Sequence, residues 1–212
     1  MRCHHTPLFS QINSFNKQKY AYLQDSALIN MSYAFFSNQS TLSFTEITQS
    51  KYDTFFDLLC SENMHYDDFY DYQKPTIDIL IENDLLSYDT NKHLRLNKGK
   101  IFLLRDFYLN EVLCSTYYHS SDYFNDLSSN NKISFEGTLF SRLEQDYLDY
   151  MLNNHKFDNG PQLRNIYIHG SNSLDIKKHE HDYYKLLKIM VLIILKINEE
   201  FCRRDDTWSI QE

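Results

Sequence analysis

The sequence predicts a mainly α-helical fold, and three observations lead to that prediction. Glycine and proline are scarce, with 4 Gly and 3 Pro among 212 residues, whereas many-stranded sandwiches and barrels need frequent Gly-rich turns. Apolar residues recur at intervals of three and four positions over several long stretches. Leu94 and Leu96 alternate with His93 and Arg95, as in a half-buried strand, and are expected to form a hairpin with residues 86–88. We therefore expect helices throughout, with one small hairpin.

In the first half of the chain, the apolar spacing predicts helices over residues 16–36 and 41–63. A short polar connector separates them. The next helix is expected over residues 76–85, because Pro75 fits the first turn of a helix.

The hairpin follows that third helix directly. Leu86-Ser87-Tyr88 and His93-Leu94-Arg95-Leu96 are separated by four polar residues that suit a turn. A helix followed by a hairpin is typical of a winged helix. A DNA-binding version needs basic residues on the helix, but this one carries Asp78, Glu82 and Asp84. We therefore expect a structural role and no DNA binding.

The second half is predicted to be helical as well. The spacing of apolar residues indicates helices over residues 98–118, 134–154 and 174–203. Residues 122–132, rich in Ser and Asn, are predicted to form a loop. A short segment that begins near Gly160 separates the last two helices.

Composition excludes several classes of function and suggests a compartment. The glycines are too far apart for a Rossmann fingerprint or a P-loop. The four cysteines lack any metal-binding or disulfide spacing, as expected in a reducing compartment. Residues 1–8 lack an apolar signal core, and Leu186–Ile197 is too short to cross a bilayer. We expect a cytoplasmic protein without a membrane partner.

Charge is distributed unevenly along the chain. The formal net charge of -8 argues against a general nucleic-acid coat protein. Residues 156–204, however, carry 9 basic and 6 acidic side chains. A local site for RNA in this region is therefore compatible with the acidic total.

One short segment carries the residues best suited to chemistry: Arg164, Asn165 and His169. Histidine has a reference pKa of about 6.5 and can take or give a proton near neutral pH. Arginine can stabilise the charge of a pentacoordinate phosphorane, and asparagine can position a phosphate. These residue types suit RNA cleavage by attack of a 2′-hydroxyl, which needs no metal or other cofactor.

The same segment resembles the signature of the HEPN superfamily. Leu163-Arg164-Asn165, three further residues and then His169-Gly170 match its pattern of Arg, four to six residues and His. The resemblance covers about residues 98–204 and implies a four-helix bundle there. It leaves residues 1–97 as a helical N-terminal region with the winged-helix-like hairpin, and residues 205–212 as an acidic tail.

The resemblance also implies an activity and a partner. HEPN ribonucleases are metal-independent endoribonucleases whose site is composite, made where two motifs face each other in a homodimer. Arg164, Asn165 and His169 are then the catalytic residues. A role as a toxin or antiphage-defence effector follows, with an antitoxin or other regulatory protein as a further partner. In HEPN toxins silenced by nucleotidyltransferases, a tyrosine accepts the nucleotide; Ser171 stands at that position, so tyrosine modification is not expected here.

Two alternatives to catalysis stay open. In one, Arg164 pairs with Glu144, Asp146 or Asp149, while His169 and Gly170 merely end the short segment. In the other, the chain is a non-catalytic HEPN-like module that binds a protein or RNA, as its acidic, aromatic first hundred residues suggest.

The last predicted helix offers weaker candidates. Lys177, Lys178 and Lys185 form either a solvated face or a stripe that contacts RNA phosphates. His179 and His181 point to opposite sides of a helix, so we expect no shared metal there. Residues 189–195 are apolar on all sides, which favours burial both in the bundle and in a homodimer interface.

Overall fold

The structure is a computed structural model that describes residues 9–49 and 51–208, with side chains up to Cys202. It contains two compact units. Residues 21–135 form the middle unit, and residues 9–20 with 136–208 form the described part of the terminal unit. The expectation about residues 1–8 concerns a segment outside the described residues.

Helices dominate the described ranges, which confirms the mainly α-helical prediction. The helices there are α1 (Ser26–Phe36), α2 (Phe55–Ser61), α3 (Lys74–Glu82), α4 (Lys98–Asn110), α5 (Asp122–Ser129), α6 (Arg142–Leu152), α7 (Leu163–Ile168) and α8 (Ile176–Trp208). The strands are β1 (Tyr20–Leu23), β2 (Leu86–Tyr88), β3 (Leu94–Leu96), β4 (Leu113–Cys114) and β5 (Ile133–Glu136). None of the helices in the described part of the chain has the length and apolarity to span a membrane.

The middle unit is built around a core of aliphatic and aromatic side chains. Phe35 from α1 stacks on Phe55 from α2, and both are fully buried beside Leu58 and Ile77. A small sheet, in which the strand order is β4-β1-β5, accompanies the helices. The core is large enough to explain why this unit orders several short helices that would be marginal alone.

The predicted hairpin is confirmed. Strands β2 and β3 pair antiparallel, with Leu86 opposite Leu96 and Tyr88 opposite Leu94. In the turn, the Asp89 carboxylate accepts hydrogen bonds from the backbone N–H of His93 and from the Arg95 guanidinium. These contacts hold the pKa of Asp89 well below its usual range.

Several predicted helices are shorter than expected, because polar side chains cap them at internal positions. Asp25 accepts from the N–H groups of Ala27 and Leu28, so α1 begins at Ser26 and the preceding residues form β1. The helix predicted over residues 41–63 is replaced by a short 3-10 helix at Thr41–Ser43 and by α2, which Thr54 caps and which ends at Ser61.

The second half shows the same effect. The helix predicted over residues 98–118 ends at Asn110, where Glu111 adopts a left-handed conformation. The loop predicted over residues 122–132 contains α5, which Ser121 caps. The helix predicted over residues 134–154 is replaced by β5 and α6, and α6 begins at a capping box of Ser141 and Glu144.

The division into units differs from the predicted boundary at residue 97. Helix α4, expected to open the C-terminal bundle, belongs to the middle unit, whereas α6, α7 and α8 belong to the terminal unit. The physical reason is a long-range pairing: Ser14 N–H donates to Gly137 O at 2.9 Å, and Leu139 N–H donates to Ile12 O at 2.8 Å. The N-terminal segment therefore closes onto residues 137–139. The predicted acidic tail, residues 205–212, begins inside α8, which extends to Trp208.

A buried ionic network holds α8 within the terminal unit. The Lys19 ammonium, which is 1% exposed, pairs with the Glu200 carboxylate and donates to Leu139 O. Glu200 also accepts from the hydroxyl of Ser14 and the N–H of Phe15. Burial raises the pKa of Glu200, but the hydrogen bonds from these three residues outweigh it and lower the pKa overall.

Candidate functional site

The α7 segment follows a loop that is fastened to α6. The backbone N–H of Lys156 donates to the Asp149 carboxylate at 2.7 Å. Gly160 lies so close to the carbonyl group of Tyr150 that a Cβ would have no room. Leu163 is fully buried in the core of the terminal unit. These contacts fix where α7 begins.

Helix α7 ends in a left-handed glycine. The N–H of His169 donates to Asn165 O at 3.0 Å, and the N–H of Ser171 donates to Ile166 O at 3.0 Å. Gly170 has φ +65°, the conformation that such a helix end requires. The predicted capping role of His169 and Gly170 is therefore confirmed. It uses only the backbone of His169.

The side chains of the motif lie at the surface. Arg164 and His169 are exposed, and Asn165 is half-buried. The Asn165 amide donates to the side-chain oxygen of Asn154 at 3.0 Å, which ties α7 to the loop after α6. Arg164 and Asn165 therefore lie on α7 and His169 is its C-cap residue, and the Arg164 and His169 side chains are accessible to a large ligand.

The three carboxylates predicted as alternative partners of Arg164 all contact lysine residues. Glu144 pairs with Lys196 at 2.7 Å, and Asp146 pairs with the ammonium of Lys156 at 2.6 Å. Asp149 accepts from the backbone N–H of the same lysine. These contacts hold α6 to α8 and to the loop that follows α6.

A cleft of about 330 Å³ opens beside α7, and we call it the α7–α8 cleft. Leu163 and Ile166 line it from α7, and Lys178, Asp182 and Lys185 line it from α8. Two of the three lysines predicted to contact RNA therefore border one cavity. Lys177 is exposed elsewhere on the first turns of α8.

Asp182 organises a polar cluster between α7 and α8. It is 5% exposed, and its carboxylate accepts from the Tyr167 hydroxyl at 3.3 Å and lies 3.5 Å from the ammonium of Lys185. The Tyr167 hydroxyl oxygen also lies 2.9 Å from Nδ1 of His179. Burial and the Asp182 charge raise the pKa of Tyr167.

The Tyr167 hydroxyl lies between Nδ1 of His179 and the Asp182 carboxylate, so this one side chain connects α7 to two residues of α8. Within the described side chains, no group of three or more His, Cys, Asp or Glu residues is arranged to hold a metal ion.

Sequence reasoning did not identify Tyr167 or Asp182. Asp182 lies four and seven residues before Leu186 and Ile189, so helical spacing places it on the buried face of α8. A carboxylate on a buried helix face indicates a paired group. Tyr167 lies within the motif segment, but its partners come from α8 and are not visible in the local sequence.

Comparisons of this chain with protein-family models, with curated proteins and with solved structures find no match.

Proposed function

We propose that this protein is a metal-independent endoribonuclease of the HEPN type. The observation that carries the proposal is the α7 segment: Arg164 is exposed on α7, His169 is exposed at its C-cap, and α7 borders a cleft lined by Lys178 and Lys185. Of the helices in the four-helix bundle that the resemblance implies, α6, α7 and α8 share the terminal unit and α4 belongs to the middle unit, so the proposal rests on the α7 motif and not on that bundle.

Each motif residue has one role in the proposed reaction. The 2′-hydroxyl of a ribose loses its proton and attacks the adjacent phosphorus, and the bond from phosphorus to the 5′-oxygen breaks. His169 takes or supplies a proton in these steps, and Arg164 stabilises the extra negative charge on the phosphorane. Asn165 positions the phosphate. The products are a 2′,3′-cyclic phosphate and a 5′-hydroxyl.

A single histidine cannot serve as base and acid in the same step, so we propose that two copies of the motif act together in a homodimer. Lys177, Lys178 and Lys185 bind neighbouring phosphates of the RNA. The biological role that we propose is a toxin or antiphage-defence effector in the cytoplasm, restrained by an antitoxin or another regulatory protein.

The test is cleavage of end-labelled single-stranded RNA in the presence of EDTA. We expect the wild type to give 2′,3′-cyclic phosphate ends, and His169→Ala to lower the rate by about 10²–10⁴-fold. Arg164→Ala should give a loss of similar size. His119→Ala, which removes an exposed histidine of the middle unit, is the matched control and should cleave like the wild type. Equal cleavage by wild type and His169→Ala, or none by either, contradicts the proposal.

A second candidate function rests on an aromatic and acidic surface of the middle unit. The rings of Phe44, Tyr70 and Tyr72 stack in parallel, with interplanar angles of 10° and 11°. Glu46 and Asp67 line the adjacent cavity of about 410 Å³. Stacked rings beside carboxylates suit a cationic side chain, so this surface favours a non-catalytic module that binds a basic protein. Partner binding that is lost in Tyr72→Ala, together with absence of RNA cleavage, would support it.

A further inference from the structure

The wall that α8 contributes to the α7–α8 cleft carries three charged residues in a fixed order. Lys178, Asp182 and Lys185 line the cleft. They are separated by four and three positions, so they lie on one face of the helix. A carboxylate residue therefore stands between two lysines along that face. The proposed function uses these lysines for RNA phosphates but gives the carboxylate no role.

Asp182 is held in place as a hydrogen-bond acceptor. It is 5% exposed, the Tyr167 hydroxyl donates to one carboxylate oxygen at 3.3 Å, and the Lys185 ammonium lies 3.5 Å from the other oxygen. An ionised carboxylate has about four acceptor positions on its two oxygens, and these two contacts use one on each oxygen. Both oxygens can therefore accept a further hydrogen bond from a ligand in the cleft.

A second wall of the cleft supplies an aromatic ring. Tyr150 of α6 lines the cleft together with residues 159–161 of the loop after α6. Its ring makes a T-shaped contact with Phe157, with 5.9 Å between the ring centroids. Gly160 allows the loop to lie against Tyr150, because a Cβ at this position would collide with the Tyr150 backbone. An aromatic ring at the wall of a cavity suits a nucleobase, since unpaired bases stack on such rings.

The charges of the cleft favour a nucleotide over simpler ligands. An amine or a guanidinium would meet the Asp182 carboxylate but also two ammonium groups of like charge. An isolated phosphate would be attracted by the lysines but repelled by the carboxylate. A nucleotide satisfies both kinds of group, because its base carries neutral N–H donors and its phosphates carry the negative charge. The cleft volume of about 330 Å³ lies at the lower end of the range for small-ligand sites.

We propose that the α7–α8 cleft binds one guanine base of single-stranded RNA and that Asp182 selects this base. The Watson–Crick edge of guanine offers two adjacent donors, N1–H and the N2 amino group, which match the two oxygens of a carboxylate. The phosphates next to the guanine contact Lys178 and Lys185. This specificity rests on the proposed function, which makes RNA the ligand of the cleft.

The other three bases fit a carboxylate less well. Adenine and cytosine each present one amino group beside a ring nitrogen that is an acceptor, and uracil presents one N–H between two carbonyl groups. Each of these acceptors would face an oxygen of Asp182 and be repelled by it, and the carboxylate would keep only one of the two hydrogen bonds. A buried acceptor that loses its partner in this way discriminates strongly between ligands.

The first test compares short RNA strands by fluorescence anisotropy with the wild-type protein. Every strand has uracil on both sides of one central base, and 2′-O-methyl groups block cleavage. We expect a central guanine to give binding about 10–100-fold tighter than adenine, cytosine or uracil, as a bidentate contact to a base does. Inosine, which lacks the N2 amino group, should lose most of that advantage, whereas 7-deazaguanine, which keeps the Watson–Crick edge, should retain it. Equal binding of the guanine and inosine strands, or no binding of any strand, overturns the proposal.

Variants of the protein test whether Asp182 is the selecting residue. In Asp182→Asn, an amide donor replaces one acceptor, so the guanine strand should lose its advantage while the circular dichroism stays unchanged. Asp146→Asn is the matched control, because it removes the same charge from a residue of α6 that pairs with Lys156, and it should keep the preference. A folded Asp182→Asn variant that still prefers guanine overturns the proposal.

A variant of the second wall tests stacking separately from base selection. Tyr150→Leu removes the aromatic ring and keeps the carboxylate. Every strand should therefore bind about 10–100-fold more weakly, since stacking tolerates any base, while the preference for guanine persists. Unchanged binding by Tyr150→Leu overturns the proposed position of the base in the cleft.

The guanine pocket and the proposed ribonuclease activity fail separately. Guanine-selective binding without cleavage of unmodified RNA removes the activity and leaves the pocket. Cleavage of unmodified RNA with no preference for any base near the cut removes the pocket and leaves the activity.

Discussion

Lys19 illustrates how one buried side chain can fix the position of a helix that is far away in the sequence. Its ammonium is 1% exposed, and its partners are the Glu200 carboxylate and the carbonyl oxygen of Leu139. Removing two charges from water costs several kcal/mol per ion, so the pair is tolerated only because the remaining hydrogen-bonding positions are also filled. The N–H of Phe15 and the hydroxyl of Ser14 fill them on the carboxylate. The C-terminal part of α8 is thereby fixed against the N-terminal segment.

We predict that Glu200→Gln lowers the free energy of unfolding by about 3–5 kcal/mol, because it leaves the Lys19 charge buried without a counterion. Urea unfolding at neutral pH measures the change. Glu62→Gln is the matched control, since Glu62 forms a surface pair with Lys51, and such pairs contribute about 0–1 kcal/mol.

The same variant should show a characteristic dependence on pH. The pKa of Glu200 is lower in the folded protein than its usual value, so its contribution to stability is complete above the unfolded carboxyl pKa of about 4.3. The contribution is lost as the pH falls through the folded pKa. The difference between wild type and Glu200→Gln should therefore shrink on acidification. A difference that stays constant down to the lowest pH at which both proteins fold would contradict this account.

At the scale of elements, the loop between α6 and α7 positions the candidate site. Gly160 has no space for a Cβ, because the backbone of Tyr150 occupies it. Backbone cannot move aside as a flexible side chain can. We predict that Gly160→Ala lowers the free energy of unfolding by about 1–3 kcal/mol, the usual cost of overpacking, and reduces RNA cleavage by displacing α7.

Gly99→Ala is the matched control for that prediction. Gly99 lies in the first turn of α4, where an added Cβ meets only the side-chain oxygen of Asn97 at 3.9 Å. Alanine has a higher helix propensity than glycine by about 1 kcal/mol in a helix interior, so this variant should be as stable as the wild type or more stable. Equal loss of stability in both glycine variants would show that the contact with Tyr150 is not the cause.

The elements also show which features could be predicted from sequence. The hairpin at residues 86–96 and the long helix α8 were predictable, because each has a local pattern that continues over its length: alternation in the first, apolar spacing in the second. The helix predicted over residues 134–154 is several residues longer than α6. The apolar spacing does not reveal that Ser141 and Glu144 form a capping box, at which the helix begins. Capping side chains such as these, and not the apolar spacing, determine the residue at which a helix begins.

The predictability of the candidate site follows the same rule. Arg164, Asn165 and His169 lie within six residues of one another and were identified from sequence. The partners that organise the neighbouring cleft come from another helix, as Asp182 and His179 do for Tyr167. Lys19 and Glu200 are separated by 181 positions. Contacts over such distances depend on the closed tertiary structure, which no local pattern encodes.

At the scale of the whole molecule, the charge distribution is the feature that bears most directly on RNA binding. The chain has a formal net charge of -8, whereas residues 156–204, which include α7 and most of α8, carry three more basic than acidic side chains. Lys178 and Lys185 lie at the α7–α8 cleft within that region. Under the proposed function, only a few RNA phosphates contact this region, because the negative charge of the remainder of the chain repels RNA.

This leads to a prediction about salt dependence. Binding of single-stranded RNA should weaken as salt rises, with a shallow slope that corresponds to a few neutralised phosphates. Lys178→Ala should lower the affinity and reduce the slope of log K against log salt by about 0.7, the contribution of one phosphate contact on a single strand. Fluorescence anisotropy measures both quantities in the His169→Ala background, in which the proposed cleavage is expected to be slow. Lys98→Ala, an exposed lysine in the first turn of α4, is the control and should change neither. An equal loss of affinity in both lysine variants would show that RNA binding depends on the total charge of the chain and not on the lysine at the cleft.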